Sequence, residues 1–504
     1  MSQAENNKRI AKNTALLYVR MILITIVTLY TSRIVLEQLG VEDFGIYNLV
    51  GGMVSALSIL TQSLSGACSR FINFEQGTGN KDKLKSIVST SFNIQIILSI
   101  VVILLLESLG GWFLNTHLSI PPSRLIAANW VLQFTIATFA IRLIIVPLNA
   151  LIISHERMNV YAYLSIIDVT MQLIIVFLLQ KSPFDRLVFY GFMMMVVPII
   201  VFISYLIYCK RNFEECCYTA RFEKTIYKEM IGFAGWNFVG VTAGVLRNQG
   251  IDIIVNLFFG VVLNAARGIA NQVSTAITRF ASSFMTAINP QITKSFAAGD
   301  YARLQFLVHQ GSRFSYYLFL FMSVPIILEM DFILQIWLKT VPEYASIFSR
   351  LMVVEAMVAC LSNTMITAML ATGKIKRYQL TVGLLNLLNF PISYALLKFG
   401  VQPYITYVVM IILEFCCLYF RLYMMKVKIG ISISAYIEGV LINIFVVTII
   451  ATLPPLSIFY ILPESFLRLC VIIASSLLSS AISIYFVGLK KNERELILSK
   501  ILKR

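Results

Sequence analysis

The stretch LLYVRMILITIVTLYTSRIVLEQLGVEDFGIYNLVGG, from Leu16 to Gly52, decides the fold. It predicts a hydrophobic helix that contains Arg33, a short turn at Gly40 to Gly45, and the beginning of a second hydrophobic helix. An arginine near the centre of a membrane helix costs roughly 2.5 to 3.5 kcal/mol on insertion scales, so such a side chain usually faces a polar interior rather than lipid. Arg33 and any similar arginine are therefore expected to face protein or water.

The composition sets the class of protein. Of 504 residues, 58% are hydrophobic and 13% are charged, whereas a soluble globular chain has about 45 to 50% and about 25%. The apolar residues fall in runs of about 20, the length that crosses a hydrocarbon layer about 30 Å thick. The first apolar run is too long for a signal-peptide core and lacks a small-residue cleavage site, so we expect it to be retained. The chain is predicted to be an all-α polytopic membrane protein.

The hydrophobic runs predict fourteen transmembrane helices. We place them near residues 15–38, 44–72, 87–110, 125–150, 160–180, 187–208, 231–259, 263–292, 313–337, 347–371, 379–397, 404–425, 436–454 and 465–489. With the N-terminus inside, the inward segments collect most of the loop lysines and arginines. The outward segments hold only Arg124, Lys181, Arg186, Lys339, Lys398 and Arg468. Because cytoplasmic loops are enriched in Lys and Arg, both termini are predicted to be cytoplasmic, and the net charge of +16 is mostly a topology signal.

An internal repeat relates the two halves of the chain. A shift of 220 residues places GNKDKLKSIV, which begins at Gly79, on GDYARLQFLV, which begins at Gly299. The shift falls to about 217 residues where SHERMNVY, ending at Tyr161, faces TGKIKRYQ near Tyr378. A shift of six spans keeps inward loops inward, so the repeat is parallel, with an axis along the membrane normal. Two six-helix bundles in a pseudo-two-fold repeat, plus two C-terminal helices, are predicted.

This repeat predicts the following division of the chain. It has an N-terminal cytoplasmic segment (1–14), an N-lobe (15–210), a cytoplasmic linker (211–230), a C-lobe (231–428), two further spans (429–489) and a basic cytoplasmic tail (490–504). Two such bundles enclose a central cavity near the midplane, the usual substrate position in transporters that alternate between inward and outward states. The organisation therefore favours a carrier over an enzyme.

Arginines are the candidate binding groups of this cavity. Arg20, Arg70, Arg350 and Arg421 lie near span ends, where anchoring at the lipid headgroups is expected. The deeper ones are Arg33, Arg142, Arg247, Arg267 and Arg279. An excess of buried guanidinium groups suits an anionic substrate, because the planar fork binds phosphate in bidentate fashion. The alternative is that these arginines close salt bridges between helices.

Acidic residues at depth are fewer, and they are candidates for ion coupling. Asp168, Asp252 and Glu355 are the principal ones. The histidines and cysteines show no spaced metal-ligand pattern, and no P-loop lysine is present, so ATP is not expected to be the direct fuel. The sequence indicates no cofactor and no catalytic constellation. We therefore predict that the protein is not an enzyme.

The opening motif resembles a known family. TSRIVLEQLGVEDFGIYNLV, with a basic SR in the first span, then LG, an acidic pair and FGIY, is similar to the start of Wzx-type polysaccharide-biosynthesis flippases. These belong to the multidrug/oligosaccharidyl-lipid/polysaccharide superfamily, which also contains the MATE transporters. The resemblance implies a carrier that moves undecaprenyl-pyrophosphate-linked oligosaccharide to the periplasmic leaflet of a bacterial inner membrane, for O-antigen, lipopolysaccharide or other surface polysaccharide.

The resemblance also implies the partners of the protein. They are the anionic lipid-linked oligosaccharide, membrane lipids, H+ or Na+ as a coupling ion, and polysaccharide polymerase and other assembly proteins. Nucleic acid is not expected, since the basic residues lie in loops rather than on a soluble domain. The alternative function is a cation-coupled multidrug or toxin extruder of the MATE type, which would be expected to place carboxylates in its cavity. A membrane glycan polymerase is a further class, although all predicted outward segments are short.

Overall fold

The described part of the protein is almost entirely helical. The computed structural model describes residues 3–55, 57–116, 120–216, 223–259, 261–338, 341–490 and 493–495, and this part contains no β-strand. The prediction of an all-α polytopic membrane protein is confirmed. Long apolar runs form helices here because a backbone inside lipid must satisfy all its hydrogen bonds within the segment.

The described helices form fourteen segments along the chain. They are α1 (Gln3–Ser55), α2 (Ser58–Thr78), α3 (Lys81–Thr116), α4 (Pro122–Ser154), α5 (Met158–Gln180), α6 (Arg186–Asn212), α7 (Lys224–Phe259), α8 (Val261–Ala297), α9 (Tyr301–Leu328), α10 (Ala345–Ala371), α11 (Lys376–Lys398), α12 (Ile405–Ile429), α13 (Ile433–Ile461) and α14 (Phe466–Gly488). A short helix, Met330–Trp337, follows α9.

Eleven of these segments are long and apolar enough to cross a membrane, among the residues that the structure describes. They match eleven of the fourteen predicted spans. The other three predicted spans, 15–38, 44–72 and 263–292, fall on the helical segments α1, α2 and α8. The count of fourteen membrane crossings therefore stays a prediction.

Helix α1 contains a sharp break at Gly40. Its φ of 78° and ψ of 170° are not helical, and the chain is helical again directly after it. The turn predicted at Gly40 to Gly45 is thus reduced to a single glycine, a residue that adopts positive φ without steric cost. The break is held from both sides: Arg186 donates to the Gln38 carbonyl at 3.0 Å, and the Arg124 guanidinium pairs with Asp43.

The contacts divide the chain into two units, Met1–Val241 and Thr242–Arg504. The boundary lies inside α7, whereas the sequence placed a linker at 211–230. The predicted lobe boundaries themselves stay predictions. Each unit is described separately below.

The first unit is built around α4. This helix packs along α3 and α6, and Val131, Leu132 and Leu143 on it are fully buried. Gly191 on α6 allows the close approach, since an added Cβ would lie 3.3 Å from the Val131 side chain and 3.2 Å from Phe134. The fit depends on side-chain volume, because packed interiors tolerate few voids and little overlap.

The polar end of the first unit ties the segment after α6 to neighbouring helices. The His155 Nε2 and Glu215 Oε1 atoms are 2.7 Å apart, and the Phe213 ring stacks on the imidazole. Lys81 at the start of α3 pairs with Glu214 at 3.3 Å. The hydrogen bond from His155 lowers the pKa of the Glu215 carboxyl below its usual value. These contacts lie where the sequence predicts the cytoplasmic side.

The second unit is built around α10 and α9. Helix α10 packs on α8, α9 and α12, and the appended pair α13 and α14 packs on α9. Polar contacts join that pair to the bundle: the Tyr317 hydroxyl donates to Asn443, and the Arg313 guanidinium pairs with Glu493 at 2.6 Å. Within the pair, the Ser479 hydroxyl donates to the Ala451 carbonyl at 2.7 Å. The two extra helices are therefore part of the second unit.

The repeat predicted from the sequence recurs as local structure. Gly79 and Gly299, 220 residues apart, both adopt positive φ, at 76° and 72°. Each is followed by a side chain that caps the next helix: Asn80 accepts from the Lys83 amide at 3.0 Å, and Asp300 accepts from the Arg303 amide at 2.9 Å. At the shift of 217, Glu156 and Gly373 also share positive φ, at 57° and 73°. The same turns thus end corresponding helices in both units.

A buried ion pair joins α14 to the end of α9. The Arg468 Nε and Nη2 atoms donate to the two Glu329 carboxylate oxygens at 2.7 and 2.9 Å, and the Glu329 side chain is fully buried. An exposed pair, Arg350 with Asp331 at 2.7 Å, lies on the neighbouring segment. These two pairs differ mainly in their burial.

We predict that Arg468→Ala destabilises the protein strongly, because it leaves the Glu329 carboxylate buried and unpaired. Removing one partner of a buried pair costs about 3 to 5 kcal/mol. Arg350→Ala is the matched control, and an exposed pair contributes only about 0 to 1 kcal/mol. Unfolding of purified protein in detergent measures both. Equal loss of stability in the two variants would contradict the assignment.

Candidate functional site

A polar cavity of about 390 Å³ lies within the second unit. It is enclosed by α7, α8, α9, α10 and α12. Its lining residues are Arg247, Asn248, Asn271, Ser274, Thr275, Thr278, Arg279, Ser282, Phe319, Met352, Glu355, Ala356, Ala359, Cys360, Asn363 and Met410. Amides, hydroxyls and two guanidiniums dominate its polar side, and Glu355 is the only carboxylate among the described lining residues.

Helix α8 supplies the polar wall of the cavity. Asn271, Ser274, Thr278 and Ser282 follow one another at intervals of three or four residues, which places them on one helix face. The opposite positions include the buried apolar residue Ile277. Helix α8 is therefore amphipathic, with its polar face toward the cavity.

Arg279 lies on this wall with its side chain exposed to the cavity. Within the described ranges of the chain, no carboxylate lies within ion-pair distance of its guanidinium. Its carbonyl accepts hydrogen bonds from Ser282 and Ser283 at 2.8 and 3.3 Å, so only its backbone is engaged there. Arg279 therefore presents a free positive charge to the cavity.

Arg247, the second arginine of the cavity, is held by two acidic residues. Its Nη2 lies 3.1 Å from Glu355 Oε1, and its Nη1 lies 3.3 Å from Glu414 Oε2. The same Nη1 donates to the Asn386 side-chain oxygen at 3.2 Å. These partners come from α10, α12 and α11, so the guanidinium joins α7 to three other helices. Its charge is largely compensated before any ligand arrives.

Arg421 completes this cluster. Its Nη1 donates to Glu414 Oε1 at 2.6 Å and to the Ser362 hydroxyl at 2.8 Å, and its side chain is buried. The prediction that Arg421 anchors at the headgroups is wrong, because α12 carries it inside the bundle. Two guanidiniums and two carboxylates thus form a cluster without net charge. Buried charges are retained in such sets because an unpaired one would be far more costly.

Arg267 is a packing residue at the junction of α7 and α8. Its guanidinium pairs with Asp252, donates to the Asn248 carbonyl at 2.8 Å, and lies over the Tyr407 ring at 5.5 Å from the centroid. Only 1% of its surface is exposed. Neither Arg267 nor Asp252 is among the described residues that line the cavity.

The remaining candidates lie in the first unit. Arg142 is half-exposed, and its Nη1 lies 3.6 Å from Asp168 Oδ2. Gln172 donates to the same carboxylate at 3.1 Å. Arg33 lies on α1, but its side chain is outside the part of the chain that the structure describes. The ion pair makes Arg142 and Asp168 a joint between α4 and α5.

Three of the site residues that the sequence predicted line the cavity of the second unit: Arg247, Arg279 and Glu355. It does not include Arg267 or Asp252. Of the arginines expected to be unpaired, only Arg279 is unpaired among the described residues of this cavity. Arg247 and Arg267 instead form salt bridges between helices, as the alternative interpretation expected. Sequence reasoning missed the polar face of α8, although its spacing of three and four residues was readable in the sequence.

The fold and the cavity define a multi-pass membrane transporter. The family profile described as Polysaccharide biosynthesis protein matches residues 10–296, and the profile described as MatE matches residues 248–395. The chain belongs to the polysaccharide biosynthesis protein family, within the superfamily that the opening motif indicated. That family is a class of transporters and flippases rather than of enzymes. The family resemblance of the opening motif is therefore confirmed.

Solved structures share this fold at low sequence identity. A crystal structure of MATE in complex with MaD3S is 12% identical, with a TM-score of 0.73, and covers 84% of this chain and 96% of its own. A transporter of the MOP superfamily from Pyrococcus furiosus is 12% identical, with a TM-score of 0.68, over 86% and 96%. The MATE transporter ClbM in complex with Rb+ is 12% identical, with a TM-score of 0.69, over 85% and 97%. No curated protein sequence matches the chain.

We predict that Arg267→Ala and Arg279→Ala differ in stability. Arg267→Ala removes a buried guanidinium that pairs with the partly exposed Asp252 and donates to the Asn248 carbonyl, and a hydrogen bond to a charged group contributes about 1.5 to 3 kcal/mol. Arg279→Ala changes an unpaired cavity residue, and such substitutions usually stay within about 0.5 kcal/mol. Unfolding of the two variants in detergent measures the difference. The assignment fails if Arg279→Ala is the less stable variant.

Proposed function

We propose that the protein is a flippase for an anionic lipid-linked oligosaccharide. The cargo is undecaprenyl-pyrophosphate-linked oligosaccharide, carried by alternating access from the cytoplasmic to the periplasmic leaflet of a bacterial inner membrane. Both termini are cytoplasmic in this proposal. The observation that carries it is the free guanidinium of Arg279 beside the hydroxyl and amide wall of α8.

The pyrophosphate is the group that Arg279 binds in this proposal. A guanidinium has five donors in a fixed fork that matches phosphate oxygens, and it keeps its charge at any physiological pH. Arg247 lines the same cavity, but Glu355 and Glu414 share its donors. Arg247 therefore contributes less attraction for an anion than Arg279 does. In the first unit, Arg142 and Arg33 are proposed to serve the same cargo.

The oligosaccharide is the group that the polar wall binds. Asn271, Ser274, Thr278 and Ser282 offer both donors and acceptors, as sugar hydroxyls require. Phe319 lines the same cavity and supplies an apolar surface. A wall of neutral polar groups suits several sugars, because each hydroxyl side chain can rotate to donate or accept.

The alternative function is extrusion of a cationic compound, favoured by the MatE match over residues 248–395. A cation would need a carboxylate that is available for pairing. Glu355 is the one carboxylate on the described cavity wall, and it is held by Arg247 at 3.1 Å. The charges thus support an anionic cargo over a cationic one. For the MOP superfamily transporter from Pyrococcus furiosus, the reverse polarity of the binding pocket suggests a different function.

The membrane potential supplies part of the driving force in this proposal. A headgroup with about two negative charges that leaves a negative cytoplasm gains about 2.3 kcal/mol per charge per 100 mV. Coupling to H+ or Na+ through Asp168, Asp252 or Glu355 would add to it. Each of these carboxylates is paired with an arginine, so protonation or a cation at the carboxylate would release a guanidinium.

We predict that Arg279→Ala weakens binding of inorganic pyrophosphate to the purified protein by about 10- to 150-fold. A hydrogen bond to a charged group contributes about 1.5 to 3 kcal/mol, which corresponds to that range. Arg279→Lys should restore part of the affinity, since the charge remains and the fork is lost. Arg350→Ala, outside the cavity, is the control and should bind as the wild type does. Calorimetry measures all four proteins, and unchanged binding by Arg279→Ala would refute the role.

We also predict that transport depends on the membrane potential. In liposomes that contain the protein and undecaprenyl-pyrophosphate-linked oligosaccharide, an inside-negative potential should speed outward movement of the lipid. Collapsing the potential with valinomycin and K+ should slow it. Separate collapse of the H+ and Na+ gradients tests ion coupling. Transport that is insensitive to all three treatments would contradict this account of the driving force.

A further inference from the structure

Two charged residues lie directly behind the wall of the polar cavity. Glu414 and Arg421 are on α12, and neither is among the described residues that line the cavity. Both side chains are buried, with 4% and 5% of the residue surface exposed. They are seven residues apart, which is about two turns, so they lie on one face of the helix. They can therefore influence a ligand in the cavity only through other residues or through the electric field.

The Glu414 carboxylate is divided between two guanidiniums. Its Oε2 atom lies 3.3 Å from Arg247 Nη1, and its Oε1 atom accepts from Arg421 Nη1 at 2.6 Å. Arg247 lines the cavity, and it also pairs with Glu355 at 3.1 Å. Starting at the cavity wall, the charges thus alternate in sign in the order Glu355, Arg247, Glu414 and Arg421.

A break in α10 holds Arg421 in place. The helix is interrupted at Leu361 and Ser362, and the Ser362 hydroxyl accepts from Arg421 Nη1 at 2.8 Å. The Leu361 carbonyl at the same break accepts from the Ser312 hydroxyl at 2.9 Å and from the Tyr436 hydroxyl at 3.3 Å. Since α9 and α13 fix the interruption through these bonds, the guanidinium has a fixed place behind the cavity wall.

The net charge beside the cavity depends on Arg421. Glu355 and Glu414 together carry two negative charges, whereas Arg247 between them carries one positive charge. Without Arg421 this set would have a net charge of minus one and would oppose the free Arg279. Charges that are buried away from water interact strongly, and salt screens them little. Arg421 therefore restores neutrality, so the charge of Arg279 remains available to an anion.

We propose that Glu414 and Arg421 set the affinity of the polar cavity for an anion without contacting it. The proposal rests on the proposed function and adds the regulation of the same site. Glu414 lowers the affinity because its carboxylate competes for Arg247, and Arg421 raises it because its guanidinium compensates that carboxylate. Both are positioning residues, and their effects on affinity have opposite signs. A purely structural role would give the two residues effects of the same sign.

The test compares Arg421→Gln and Glu414→Gln with the double variant. Each single variant leaves a buried charge without its partner, so both are expected to lose stability. The matched controls are Arg468→Gln and Glu329→Gln, which break a buried pair that is not part of the described cavity lining. Calorimetry measures binding of inorganic pyrophosphate to the full-length protein in detergent, at constant pH and ionic strength. Thermal unfolding of each variant is recorded in parallel.

We expect opposite changes in affinity from the two single variants. Arg421→Gln should weaken pyrophosphate binding by at least about tenfold, and Glu414→Gln should strengthen it by at least about tenfold, as expected for close, buried charges. The double variant removes a pair whose negative member is nearer the cavity, so it should bind about threefold more tightly than the wild type. The two control variants should lose stability and bind as the wild type does.

The proposal is overturned if Arg421→Gln does not weaken binding, or if Glu414→Gln does not strengthen it. Affinity that follows stability in all variants, controls included, would show that the cluster is only structural. If a single variant does not fold, the double variant decides, because it leaves neither charge of the pair uncompensated. Affinity of the double variant equal to or weaker than that of the wild type would then refute the role.

Failure of this inference and failure of the proposed function are distinguishable. If Arg279→Ala loses pyrophosphate binding while Arg421→Gln and Glu414→Gln bind as the wild type does, only the regulation is refuted. If the wild type does not bind pyrophosphate, the anionic cavity is refuted, and this inference is refuted with it.

Discussion

The cost of placing an unpaired charge away from water is the constraint on which the rest of this structure depends. The buried pairs Arg468–Glu329 and Arg313–Glu493 each join two segments that are far apart in the sequence. The buried Arg267 guanidinium likewise pairs with Asp252, whose side chain is partly exposed. The loss of one member of a buried pair strongly destabilises the folded protein, so such pairs determine which helices can be neighbours. Within hydrocarbon, where the hydrophobic effect cannot discriminate between helices, polar contacts and close packing decide the arrangement. Among the described residues, Arg279 is an exception, because it has no acidic partner and faces a cavity.

The sequence predicts the class of this protein because the relevant signal is local. A run of about 20 apolar residues specifies a helix across a bilayer without reference to any other part of the chain. The turn glycines of the repeat are likewise a local signal, because each determines the conformation of only about four residues. The partner of each arginine is a different matter. Arg247 meets Glu414, which is 167 residues later, and only the folded arrangement brings them together. Arg421 shows the same limit, since its place near a predicted span end gave no sign of its contact with Ser362.

The two units share a pattern of helices and turns, yet the described cavity of each has its own kind of lining. The first has an apolar groove beside Gly235, and the second has a polar cavity along α8. The turns that end helices are preserved at Gly79 and Gly299 because backbone geometry demands it. Residues along helix faces are under no such constraint, so they can diverge without changing the fold. A parallel repeat thus allows an apolar lining and a polar lining to be built on one architecture.

Among the described residues of the cavity, a neutralised cluster lies beside a free arginine, and this arrangement suits a carrier better than many free arginines would. A carrier must release its cargo, and binding must be weak enough for exit as well as strong enough for entry. Three or four free guanidiniums in a low-dielectric site would hold a pyrophosphate too firmly and would destabilise the empty protein through mutual repulsion. The carboxylates of Glu355 and Glu414 hold Arg247 in place without an anion, so the empty cavity remains stable. A ligand can move a conformational equilibrium only if its affinity differs between the two states. A cargo that competes with these carboxylates for Arg247 meets this condition, because its affinity would change whenever α7 shifts relative to α10 and α12.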